Sequence, residues 1–187
     1  MRLYVIRHGE SVNNQLKIYT GWAQVPLSEK GVRDAERAGE ILRGITFDKV
    51  YSSDLKRAMQ TAEAALPGIP YEPTHLLREV DVGDLVGKPL TTVTEEMRLT
   101  IAKEGYGFLN GESCLDFAER VREFMRLAAE SGYETVAAFC HRGWLMNMLS
   151  EVLGFTPSRG SVTCNNCTVA AFDFKNGVWS LYRWINL

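Results

Sequence analysis

The sequence is short of the side chains that hold metal ions or cross-link chains, with three histidines and four cysteines among 187 residues. Two of the cysteines, Cys164 and Cys167, form a CxxC, but no second pair exists to complete the four ligands of tetrahedral zinc. They read as small buried residues beside a strand. Charge of one sign is also missing. Twenty-one basic and 23 acidic residues leave a net charge of -2, which calls for neither nucleic acid nor an anionic membrane as a partner. No apolar run approaches the ~20 residues of a membrane span. The first residues, MRLYVIRHGE, return to charge after Leu3–Ile6, so they do not read as a leader. These absences point to a cytoplasmic globular protein with reduced thiols.

What is present is enough for one α/β domain over 1–187, since 45% of the residues are hydrophobic and 24% charged. Strands are expected at 3–6, 49–51, 74–77, 135–140, 169–174 and 178–185. The last two flank Asn176-Gly177, a type I′ hairpin signal. Helices are expected at 29–42 behind Ser28, from Ser53 to about residue 66, at 94–103, at 113–130 and from Trp144 to Leu153. TVAAFC at 135–140 is apolar throughout, as a strand covered on both faces would be. The stretch 84–112, punctuated by Gly and Pro, reads as a cap-like insertion.

Two strand ends carry the same chemistry. Ile6 leads into Arg7-His8-Gly9, and Cys140 leads into His141-Arg142-Gly143. The carboxyl ends of neighbouring strands form the usual crevice of an open α/β sheet, so the two histidines would meet there if these strands pair. Helical segments follow both, and their first amides would favour an anion. Arg57 falls in the first turns of a helix, its side chain leaning back toward the helix start, where a guanidinium can grip a phosphate with two parallel hydrogen bonds.

Arg7-His8-Gly9-Glu10-Ser11 with Asn14 resembles the RHGE(T/S)xxN signature of the histidine phosphatase superfamily, the phosphoglycerate mutase-like fold. Gly21-Trp22 through Gly31, the Ser52–Ala62 stretch, His141-Arg142-Gly143 and Asn166-Cys167-Thr168 are similar to its further motifs, so the resemblance covers nearly the whole chain. It implies a three-layer α/β/α sandwich with a mostly parallel central sheet. It also implies a phosphate site of Arg7, Arg57, His8 and His141, with His8 as nucleophile and Glu79, in Leu77-Arg78-Glu79, as proton donor. Asn14, Ser11 and Gly143 would contact substrate. Asp81 and Asp84 read as surface loop carboxylates.

The resemblance implies attack by His8 on a small phosphomonoester, a phosphohistidine and its hydrolysis, with no metal or other cofactor. Mutase-type phosphoryl transfer uses the same residues. Hydrolysis is favoured here because 83–111 supplies only Lys88, Arg98 and Lys103 to retain a bisphosphate. A non-catalytic module that binds phospho-ligands is a third reading, against which stand the retained His8, Arg57, Glu79 and His141. Met97, Tyr106, Phe108 and Trp22 are candidates for an apolar wall beside the leaving group. The C-terminal hairpin offers a sheet edge for a homodimer.

Overall fold

The computed structural model describes residues 1–158 and 160–187. Six strands form one sheet: β1 (Arg2–Arg7), β2 (Lys49–Ser53), β3 (Glu72–Thr74), β4 (Thr135–Cys140), β5 (Val169–Lys175) and β6 (Val178–Ile185). Their order is β3-β2-β4-β1-β5-β6, parallel from β3 to β1 and antiparallel across β5 and β6. The helices are α1 (Val12–Gln15), α2 (Glu29–Leu42), α3 (Lys56–Ala65), α4 (Glu95–Glu104), α5 (Cys114–Glu130) and α6 (Arg142–Leu153).

Alternation along the central strands divides the core into two layers. Leu3, Val5, Val136, Ala138, Cys140, Ala170 and Phe172 face one way, against Phe117, Val121, Phe124 and Ala128 of α5 and Trp144, Leu145 and Met148 of α6. Ile6, Ala137, Phe139 and Val169 face the other way, against α2 and α3. Those two helices bury mainly small residues, among them Ala35, Ala38, Ala62 and Ala65, and so lie close to the sheet. Gly39 meets the Ala65 carbonyl where a Cβ would collide. The sandwich and its mostly parallel sheet agree with the architecture expected from sequence.

Three local expectations need correction. The strand placed at 74–77 is β3, ending at Thr74. There the Thr74 hydroxyl accepts from the Leu76 amide and turns His75–Leu77 into a 3-10 turn. The helix expected from Ser53 begins at Lys56, because Ser53 still belongs to β2 and its hydroxyl accepts from the Leu55 amide. α6 starts two residues earlier than expected, at Arg142. At the hairpin, Asn176 and Gly177 have φ of 51° and 78°, as a type I′ turn requires.

Between Gly83 and Glu112 the chain forms three 3-10 turns and α4 around a small separate cluster. Its buried members are Val82, Leu85 and Val93, with Tyr19, Met97, Ile101 and Tyr106 against them.

Candidate active site

β1 and β4 pair in parallel with Arg7 opposite Cys140, so the residues that follow, His8 and His141, emerge side by side. Their ring centroids are 5.0 Å apart. Both side chains are buried. His8 Nδ1 lies 2.6 Å from the Gly9 carbonyl, which can only accept, so Nδ1 carries the ring proton and Nε2 holds a lone pair. Arg57 Nε donates to that Nε2 at 3.3 Å. The other guanidinium nitrogens of Arg57 donate to the carbonyls of Ala23 and Gly21. An arginine buried to 1% exposure is thereby fixed from three sides.

His141 is anchored differently. Its Nε2 lies 2.8 Å from Ser53 Oγ, a hydroxyl that already accepts from Leu55 and has its own proton to give. Its Nδ1 is shielded from water and has no partner among the described residues. Arg7 Nε is likewise shielded and unpartnered, while its NH1 donates to the Cys164 carbonyl at 2.6 Å. Two shielded, unpartnered polar atoms among cationic neighbours are prepared for an anion, since polar groups left so cost free energy until something bonds them.

Burial dominates the electrostatics. It holds the pKa of His8 well below the ordinary 6.5, with Arg57 and then Arg7 adding to the effect. His141 is lowered in the same way by burial, then Arg57, His8 and Arg7. Both rings are therefore neutral near pH 7. Burial also lowers Arg57, to about 10, which leaves it cationic.

A cavity of about 340 Å³ opens over these groups, lined by Arg7, His8, Asn14, Arg57, Glu79 and Arg142 together with Ile18, Tyr19, Val80, Leu90 and Tyr106. The Glu79 carboxylate is aimed by two backbone amides, Gly143 N to Oε2 at 3.1 Å and Val80 N to Oε1 at 3.0 Å. A Cβ at Gly143 would overlap the Glu79 carboxylate, so any larger residue there must displace it. Behind Glu79, Trp22 Nε1 donates to its carbonyl at 2.7 Å and Arg120 NH2 to the same oxygen at 3.1 Å.

Not every residue expected to touch substrate faces the cavity. Ser11 is fully buried and caps α1, its hydroxyl accepting from Asn14 N while Asn14 Oδ1 accepts from Ser11 N. Gly143 serves Glu79, as described. Among the four apolar candidates only Tyr106 lines the cavity. Met97 sits in the small cluster, Phe108 is exposed, and Trp22 lies beneath Arg78 and Arg120. Asp81 accepts from Gly83 N, and Asp84 from Asn110, so both serve the loop.

Sequence reasoning did not single out Ser53, Thr61, Asn166 or Arg120. Thr61 accepts from Gly9 N and Asn166 donates to the His8 carbonyl, each fixing the backbone around His8. Ser53, Thr61 and Asn166 were marked only by membership of motifs read for other residues. Among the described residues, no three His, Cys, Asp or Glu side chains gather as metal ligands would.

Comparison with known proteins agrees with this geometry. The family model for the histidine phosphatase superfamily (branch 1) matches residues 3–187. The adenosylcobalamin/alpha-ribazole phosphatase of Salmonella typhimurium is 31% identical over 189 residues, 96% of this chain and 89% of that protein. The 2,3-bisphosphoglycerate-dependent phosphoglycerate mutase of Streptococcus thermophilus is 42% identical over 103 residues. That match takes in 51% of this chain and only 45% of the mutase, so the chain spans about half the length of the mutases it resembles. The structure of a phosphoglycerate mutase from Bacillus anthracis shares the fold, with a TM-score of 0.82 at 24% identity over 97% of this chain and 91% of that one. The chain belongs to branch 1 of the histidine phosphatase superfamily.

Proposed function

We propose that this protein hydrolyses a small phosphomonoester through a covalent phosphohistidine at His8, without a metal ion. The observation that carries the reading is the state of His8: proton tied to the Gly9 carbonyl, lone pair on Nε2, ring held neutral by burial. His8 Nε2 attacks phosphorus, an N–P bond forms and the P–O bond to the alcohol breaks. Arg57 Nε, which covers the lone pair before substrate arrives, moves to a phosphoryl oxygen as the new bond forms. Arg7 and His141 Nδ1 gain in the phosphoryl oxygens the partners they lack. Asn14 lines the same cavity and would contact a phosphoryl oxygen.

A proton taken up on Glu79 as the substrate dianion binds passes to the leaving oxygen. In the second step its carboxylate takes a proton from water as that water attacks phosphorus, the N–P bond breaks and phosphate leaves. The segment over the cavity, about 84–112, would act as a cap.

Hydrolysis is favoured over mutase-type transfer by the cap's charges. Arg98 pairs with Glu95 and Lys103 with Glu104, which leaves few free cations to retain a bisphosphate. The match to the Salmonella phosphatase also runs nearly end to end, whereas the mutase match covers half the chain.

The test is phosphate release from p-nitrophenyl phosphate in EDTA at mildly acidic pH, beside His8→Ala. The expected result is turnover in the wild type that falls about 10⁴-fold or more in the variant. Turnover that EDTA abolishes and a divalent metal restores would sink the mechanism.

A further inference from the structure

A second and larger cavity, about 600 Å³, lies beside the phosphate site and has no part in the steps above. It sits between the start of α5, the first turns of α6 and the loop residues Thr156, Pro157, Ser158, Gly160 and Val162. Arg142 lines both cavities, and Gly143, whose amide holds Glu79 Oε2, lines the larger one. Its wall mixes apolar Ala118, Met146 and Val162 with polar Asn147 and Ser150.

Two groups there lack partners. Asn147 Oδ1 is shielded from water and accepts no hydrogen bond among the described residues. The Arg142 guanidinium is exposed and makes no ion pair or hydrogen bond among the described residues. Direction and size then combine. In an in-line displacement the alcohol leaves on the side away from His8, toward the proton donor. Glu79 lies against Gly143, and both Gly143 and Arg142 border the larger cavity, which sets that cavity on the leaving-group side. A three-carbon phosphoacid would leave the larger cavity unused, whereas the two cavities together give a bulky phosphomonoester room for both its phosphate and its alcohol.

We propose that this cavity is the leaving-group subsite, and that the substrates are phosphomonoesters of bulky, amphipathic alcohols presenting an N–H or O–H donor to Asn147 Oδ1. The inference rests on the hydrolase reading for its direction, but it can be read by binding alone.

Affinities for His8→Ala would be measured calorimetrically for glycerol 3-phosphate, adenosine 5′-monophosphate and riboflavin 5′-phosphate. At least one bulky ester should bind about tenfold or more tightly than glycerol 3-phosphate. Asn147→Leu, which keeps the branched shape of the side chain and removes the acceptor, should abolish that preference.

Because Asn147 is half-buried, a second measurement leaves the fold untouched. Cys114 lines the cavity and is exposed while the other three cysteines are buried, so a bulky thiol reagent on Cys114 should also abolish the preference. Preference for glycerol 3-phosphate, or a preference that survives both changes, would overturn the inference. Failure to turn over p-nitrophenyl phosphate would instead count against the hydrolase reading, and the binding ratios would still decide the subsite.

Discussion

His8 and His141 link the site to stability through their protons. Each has an ordinary pKa of 6.5 and a folded value held well below it by burial. Between the two values the unfolded chain binds protons that the folded protein does not, so stability falls as pH falls below 6.5. The slope is about 1.4 kcal/mol per pH unit for each histidine. Urea midpoints should therefore drop between roughly pH 7 and roughly pH 5.5, and His8→Ala should show a shallower drop. Equal slopes in the two proteins would mean that His8 is not held neutral.

A second prediction at this scale concerns Gly143. Gly143→Ala places a methyl group where the Glu79 carboxylate lies, so kcat should fall about 10²-fold with a much smaller change in affinity for inorganic phosphate. A variant with wild-type kcat would remove Glu79 from the proposed proton transfer.

These residues were legible because histidine and arginine are scarce and sit at strand and helix starts. Ser53, Thr61 and Asn166 were not, because hydroxyls and amides are common and acquire meaning only from a partner distant in sequence.

The elements show the same limit. α2, β4 and β6 fall where periodicity and caps placed them, since Ser28 and the alternating or continuous apolar runs are local signals. The segment after β3 was misread because Leu76 and Leu77 look like strand, yet both are buried in a 3-10 turn. That turn is held from outside itself. Arg120 of α5 donates to the carbonyls of His75, Leu76, Arg78 and Glu79 and pairs with Glu112, which in turn accepts from Asp81 N. One guanidinium thus suspends the whole strip that carries Glu79. The clue was a charge inside the apolar stripe of α5, between Phe117 and Phe124. Arg120→Met should cost about 3–5 kcal/mol in urea unfolding, because Glu112 and several carbonyls lose their partner. A cost under about 1 kcal/mol would show the strip to be self-supporting.

At the scale of the whole molecule, the layers could be read from residue patterns but the strand order could not. TVAAFC announces a strand covered on both faces. Nothing local says that β1 lies between β4 and β5, because strand pairing is decided by contacts more than a hundred residues apart in sequence. That placement orders the protein's manufacture. Of the six strands, β1 leaves the ribosome first, and its neighbours β4 and β5 follow more than a hundred residues later. Until Thr135–Cys140 has been translated, its backbone has no partner along either edge, and the pocket that joins His8 to His141 does not exist. Chains stalled before residue 135 should be cut readily by protease and bound by holding chaperones, and chains stalled well past residue 175 should resist. The first of these strands waits for the fourth and fifth, so synthesis interrupted before residue 135 releases a strand with two open edges and a site still in pieces.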